Sequence, residues 1–242
     1  MEVKVYKDME AVTEAAAEYI CSAAQSAVRK KGYFTLVLAG GRTPNLLYQR
    51  MAEQPYCDQI PWQQTYIFWG DERFVPPAHP DSNYGTAWLE LFSKLENLAD
   101  QIYPMPTTLI NAGNAALLYE KTIRCVFTAL GTKQFDLTLL GMGNDGHTAS
   151  LFPGRDAVKE DRRWVVSTES PSGQKRVTLT FPLLNESKEI LFLVTGEEKK
   201  EILQKVMEDR KQANMHYPAA IVSGRQKTLW MIDEAAYFNH DI

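Results

Sequence analysis

The chain has 242 residues, 45% of them hydrophobic, a composition that fits one large α/β unit and argues against disorder. A formal charge of −4 gives no basic field for nucleic acid or an anionic membrane surface, so any anion must be gathered by a few placed cations. Cys21, Cys57 and Cys125 lie far apart with no CxxC pair, MEVKVYKDME has no signal-peptide core, and no apolar run reaches membrane-span length; the expectation is a cytoplasmic protein with reduced thiols.

EVKVY alternates like an edge strand, and Asp8 is placed to cap a helix from about Met9 to Lys31 that Gly32 ends. YFTLVLAGG is a buried strand stopping on two glycines, and RTPNLLYQRMAEQ continues with helical spacing, Pro44 suiting a first turn. TYIFWGDER repeats the pattern, followed by a loop and the helix SNYGTAWLELFSKL. FDLTLLGMGNDG then runs into HTASLF, where a short helix fits before Pro153, and EILFLVTG leads into the helix EEKKEILQKVMED. WVVSTES and RVTLTFPLL lie too close together for a helical crossover and predict an antiparallel excursion. The last strands are expected near Ala219 to Val222 and Thr228 to Ile232. Strands alternating with helices predict an α/β fold: a mostly parallel central sheet flanked by helices on both faces, with its ligand at the carboxyl ends of the strands. No repeat or linker marks a boundary, so residues 1–242 are expected to form a single domain.

Four polar clusters stand at strand ends. In AGGRTP, Gly40 and Gly41 allow close backbone approach, and Arg42 and the Thr43 hydroxyl stand at a helix N-terminus. The stretch reads as a phosphate cradle or as a plain turn and cap. WGDERF sets Asp71, Glu72 and Arg73 just beyond a buried strand, where a site is favoured over a solvated charge run. In the loop that follows, His79 reads as a surface residue. GMGNDG satisfies GxGxxG by letter, but it comes late in the chain, with no acidic partner at the end of a second strand; dinucleotide binding is the weaker reading. The alternative is a sharp glycine turn that projects Asp145 and His147 into the crevice as an acid–base pair, since an imidazole exchanges protons near neutral pH. Lys175 and Arg176 open VTLT. Lys199 sits at a helix start, where a cation is unfavourable unless an anion binds, and Lys200 reads as solvated. No His, Cys and Asp spacing forms a metal set, and there is no nucleophile elbow.

LAGGRTP, WGDERFVPPAHPDSNYG, LGMGNDGHTASLFPG and RVTLTFPLLN, in this order, resemble the glucosamine-6-phosphate isomerase/6-phosphogluconolactonase family on its lactonase side, over about Val3 to Ile232. The resemblance implies the fold shared with glucosamine-6-phosphate deaminase and ribose-5-phosphate isomerase. It implies hydrolysis of 6-phospho-D-glucono-1,5-lactone to 6-phosphogluconate in the oxidative pentose phosphate pathway. The implied substrate is a small sugar phosphate; no metal, nucleotide or other cofactor is expected, and the chain is expected to be a monomer or weak homodimer. By motif position His147 would be the acid–base residue with Asp145 beside it, Arg73, the GGRTP loop and Lys199 would hold the 6-phosphate, and Arg176 would lie nearby. Asp71 joins the substrate-binding set. Serine is common in the family where this chain has Arg42, so hydroxyl contacts there do not transfer, and SPSGQKR leaves Lys175 and Arg176 as alternatives. The amino-sugar phosphate deaminase carries a carboxylate where this chain has Phe152, which disfavours ring opening. A non-catalytic sugar-phosphate sensor is the other alternative.

Overall fold

Asp8 caps the first helix: its carboxylate accepts from Ala11 N at 2.9 Å, and Gly32 closes the helix in the left-handed conformation at φ 83°. The computed structural model describes residues 1–95 and 101–238. In chain order the edge strand β1 (Glu2–Tyr6) leads to α1 (Met9–Lys31), and the wholly buried β2 (Phe34–Leu38) to α2 (Arg42–Met51). After the short α3 (Tyr56–Gln59) come β3 (Thr65–Trp69), β4 (Asp71–Arg73), α4 (Asn83–Glu90), α5 (Ala112–Leu130) and β5 (Leu137–Leu140). The hairpin β6 (Val165–Glu169) and β7 (Lys175–Leu179) precedes α6 (Phe181–Leu184), β8 (Glu189–Val194), α7 (Lys200–Gln212), α8 (Pro218–Ile221) and β9 (Lys227–Asp233).

The central sheet has the order β1-β9-β8-β5-β2-β3 with every pairing parallel, and β4-β7-β6 form a small antiparallel sheet. Crossovers run from β2 to β3 in one direction and from β5 through β8 to β9 in the other, which sets helices against both faces. The reversal falls between β2 and β5. There the carboxyl ends of two neighbouring strands diverge and leave a crevice. The chain crosses between sheets at Gly70, whose N–H donates to Leu38 O at 2.9 Å while its carbonyl accepts from Leu179 N at 2.8 Å. One cluster of buried apolar side chains extends through both sheets. Among the described residues no helix is long and apolar enough to cross a membrane.

Four local expectations are corrected. Residues 147–152 form turns, not a helix: Thr148 Oγ1 donates to Gly141 O at 2.8 Å, and Ala149 stands at φ 50°, so side chains compete for the backbone and the left-handed residue stops a helix. Residues 219–222 belong to α8 and its end rather than a strand, because Pro218 occupies a helix N-terminus, where its missing N–H costs nothing. The helix expected to reach Leu95 ends at Glu90, and a 3-10 turn covers Phe92–Lys94. Glu72 and its neighbours are a strand rather than a charged strand terminus, with consequences for the site. The 19-residue α5 has no counterpart in the sequence reading, although Asn111 caps it and Ala115, Tyr119, Ile123 and Val126 bury one stripe.

Candidate active site

A cavity of about 390 Å³ occupies the crevice at the strand reversal. Its walls come from the loop after β2, the β4–β7 ladder, the turn after β5 and the segment after β8.

The ladder places charge by simple alternation. Asp71 and Arg73 lie on one face of β4 and Glu72 on the other. Glu72, 1% exposed, turns away from the cavity and caps α4: its carboxylate accepts from Asn83 N and Tyr84 N at 2.8 Å each and from Ser82 Oγ at 3.2 Å. Burial pushes that carboxyl above its ordinary range despite three backbone N–H donors. Arg73 is the register partner of Arg176, so the two guanidinium groups project from the same face and both line the cavity. Lys175 turns outward to an ion pair with Glu169, which assigns the cavity position to Arg176.

Two adjacent cations in a half-enclosed site repel. Burial lowers Arg176 below its ordinary range, Asp71 at 3.9 Å opposes the shift and Arg73 adds to it. The Nε–H groups of both arginines are buried without a partner among the described residues, the condition an oxyanion ligand relieves. Arg73 Nη1 donates to Asp81 O at 2.6 Å; His79 is exposed, and its Nδ1 accepts from Asp81 N. Asp71 accepts Ser150 Oγ at 2.5 Å, so its carboxylate is occupied in holding Ser150 and Arg176.

The loop after β2 approaches closely because it lacks side chains. A Cβ on Gly40 would lie 2.0 Å from Asn83 Oδ1, and Asn83 Nδ2 is needed to donate to Asp71 O at 2.9 Å. Gly41, at φ 115°, starts α2 with no side-chain cap, leaving first-turn N–H groups beside the cavity. Thr43 Oγ1 and Thr195 Oγ1, 2.7 Å apart, join this loop to the one after β8. Arg42 is exposed and reaches Glu198 at 3.5 Å. Lys199 is the N-cap residue of α7 and donates from Nζ to Asn144 Oδ1 at 2.5 Å. Burial lowers its ammonium group below the ordinary range, Glu198 and Asp145 oppose this, and Arg42 adds to it.

The turn after β5 answers the reading of GMGNDG. Gly143 N donates to His147 O at 2.9 Å and Gly146 N to Gly143 O at 3.1 Å, closing a compact loop with no helix behind it for a pyrophosphate to approach. His147 lines the cavity, its Nδ1 is 2.5 Å from Asp145 Oδ1, and its backbone N–H donates to the same oxygen at 3.1 Å. A Cβ on Gly143 would sit 2.0 Å from His147 Nδ1, so only glycine leaves room for the ring. Partial burial raises the Asp145 carboxyl, but the His147 ring and backbone N–H outweigh it and hold the group below its ordinary range. The Phe152 ring packs 4.5 Å from the His147 ring, an apolar neighbour that exchanges no proton.

The structure therefore gathers Gly40, Gly41, Arg42, Thr43, Asp71, Arg73, His147, Arg176 and Lys199 around one cavity, with Asp145 against the His147 ring. The sequence reading missed Ser150, Asn144 and Glu198 and the capping role of Glu72. Each is paired with a residue distant in sequence or folded back by a turn, so no local pattern marks it.

The family model described as glucosamine-6-phosphate isomerases/6-phosphogluconolactonase matches residues 7–230. A 6-phosphogluconolactonase from a Nostoc species is 34% identical over 239 residues, spanning 97% of this chain and 96% of the relative. One from Haemophilus influenzae is 37% identical over 201 residues, spanning 82% and 84%. The crystal structure of 6-phosphogluconolactonase from Thermotoga maritima superposes with a TM-score of 0.82 at 33% identity, over 96% of this chain and 99% of that one. With a matching fold, a match over most of its length and the site motifs in one crevice, the chain belongs to the glucosamine-6-phosphate isomerase/6-phosphogluconolactonase family.

Proposed function

We propose that this chain hydrolyses 6-phospho-D-glucono-1,5-lactone to 6-phosphogluconate, its residues acting as one sugar-phosphate-binding unit. The observation that carries the reading is a carboxylate-held imidazole sharing a cavity with Arg73, Arg176 and Lys199. The cations suit a phosphate dianion, and the imidazole suits proton transfer at the other end of a hexose.

A hydrogen bond to Asp145 requires the proton on Nδ1, which leaves the Nε2 lone pair of neutral His147 free as a base. His147 takes a proton from water as the oxygen attacks C1, giving a tetrahedral oxyanion. The C1–O5 bond then breaks, the imidazolium returns its proton to O5, and the new carboxylic acid releases its proton to solvent. In the turn after β5 the N–H groups of Gly143, Gly146 and His147 are already bonded. The uncapped start of α2 is the better source of oxyanion or phosphate donors. Phe152 beside His147 leaves the deaminase reaction without its second carboxylate.

The test is a pH-stat or coupled assay with freshly prepared lactone, corrected for spontaneous hydrolysis, run beside glucosamine 6-phosphate. Turnover of the lactone alone is expected. Turnover of the amino sugar instead would reassign the chain within the family, and turnover of neither, with sugar-phosphate binding retained, would make it a sensor.

A further inference from the structure

The mechanism assigns no role to the chain between α7 and α8, yet that segment abuts the turn carrying His147. Gly146, between Asp145 and His147, stands at φ 78°, and a Cβ there would lie 2.5 Å from Tyr217 Cδ1 and 3.0 Å from Cγ. The Tyr217 ring thus closes off the space beside the Gly146 backbone. The Gly146 carbonyl accepts from Ala219 N, in α8, at 3.1 Å. Glycine is the residue whose backbone rotates most freely, and rotation about Gly146 would turn Asp145 and His147 relative to each other.

The segment bearing Tyr217 is itself anchored. Asp209, 5% exposed, accepts from His216 N at 2.7 Å and Tyr217 N at 3.0 Å, and Arg210 Nη1 donates to Ala220 O and Val222 O at 2.8 Å each. Ala213 and Met215 adopt left-handed φ values of 55° and 59°, conformations that non-glycine residues keep only when the surroundings impose them. The atoms of Tyr217 nearest that space are Cδ1, Cγ and Cβ, so the contact is made by the root of the ring and not by the hydroxyl.

We infer that Tyr217 is a positioning residue for the acid–base pair, locking Gly146 so that Asp145 and His147 keep their geometry. This rests on the proposed role of His147. Arg73 and Arg176 sit on the β4–β7 ladder, outside the turn, and Lys199 meets the turn at Asn144 rather than at Gly146, so the effect falls on kcat and spares KM. An ångström of misplacement in a reacting group can cost about 100-fold in rate.

The experiment compares Tyr217→Ala and Tyr217→Phe with the wild-type chain, each checked for folding by its thermal melt. Tyr217→Phe is expected to match wild type. Tyr217→Ala is expected to lose about tenfold or more in kcat with KM within about twofold, as imperfect orientation dictates. An unchanged kcat in folded Tyr217→Ala overturns the inference, as does an equal loss in Tyr217→Phe. If Tyr217→Ala does not fold, Tyr217→Ser, which likewise removes Cγ and Cδ1 but suits a partly exposed position, is read in the same way. Should the wild-type chain fail to hydrolyse the lactone, the function fails separately. The Nδ1–H resonance of His147 then decides: its loss in Tyr217→Ala supports the clamp and its persistence overturns it.

Discussion

Two of the cavity's walls, the β4–β7 ladder and the turn after β5, are built by opposite means. Arg73 and Arg176 face each other across a regular antiparallel ladder, where register alone fixes which side chains share a face. His147 stands on a turn with no regular structure, shaped by Gly143 and Gly146 and supported from Tyr217 and Lys199. A cation gathering a phosphate acts over several ångströms and tolerates small displacements, so a strand edge suffices. A base that must reach one water and one ring oxygen tolerates far less, and its support comes from packing outside the turn.

Substitutions on the two walls should therefore separate kcat from KM. His147→Ala carries the largest expected effect, a loss of about 10²–10⁴ in kcat with KM little changed; near-normal turnover would remove the residue from the chemistry. Gly143→Ala comes next. Its Cβ would overlap the imidazole, and a displaced ring is expected to cost about 100-fold in kcat while leaving phosphate binding intact. A rise in KM of the same size would mean that the turn is part of the phosphate wall after all.

On the arginine wall the order reverses. Arg73→Ala removes a charged donor worth about 1.5–3 kcal/mol, so KM for the phosphorylated lactone should rise about 10- to 100-fold with kcat nearly unchanged. Ser150→Ala acts at one remove: without its hydroxyl, Asp71 loses the bond that steadies the carboxylate near Arg176. A net hydrogen bond of about 1 kcal/mol predicts a KM several-fold higher. Activity toward the lactone lacking the phosphate should be unaffected, and an equal loss on both lactones would move Ser150 to the chemical wall.

The same division explains what could be read before the structure was known. Punctuation is local, helix to strand at Gly32 and strand to helix at Gly40 and Gly41, and so were most strands, the capped first helix and the glycine-shaped turn after β5. The paired arginines were named one at a time, because their adjacency depends on the register of β4 against β7, residues separated by a hundred positions. Glu72 reads like its neighbours until β4 is known to be a strand, whereupon alternation sends it to α4. The helix misassigned at HTASLF fails through hydroxyls that bond to distant backbone and to Asp71. Pro218 carried a legible helix-start signal that the apolar run around it obscured.

The smallest expected effect concerns stability. Asp145 has a folded-state pKa below that of the unfolded chain, so the unfolded state binds its proton more readily. Its contribution is therefore fully present above the ordinary aspartate range, about pH 4, and fades as pH falls through the folded value below it. The carboxylate is 43% exposed, and solvent screening keeps the contribution small. Denaturant unfolding of Asp145→Asn and wild type at pH 7 and pH 3 should show a modest deficit at the higher pH that narrows at the lower. A deficit that widens in acid would mean that the Asp145–His147 contact does not stabilise the ionised carboxylate. The turn would then depend wholly on its outside supports.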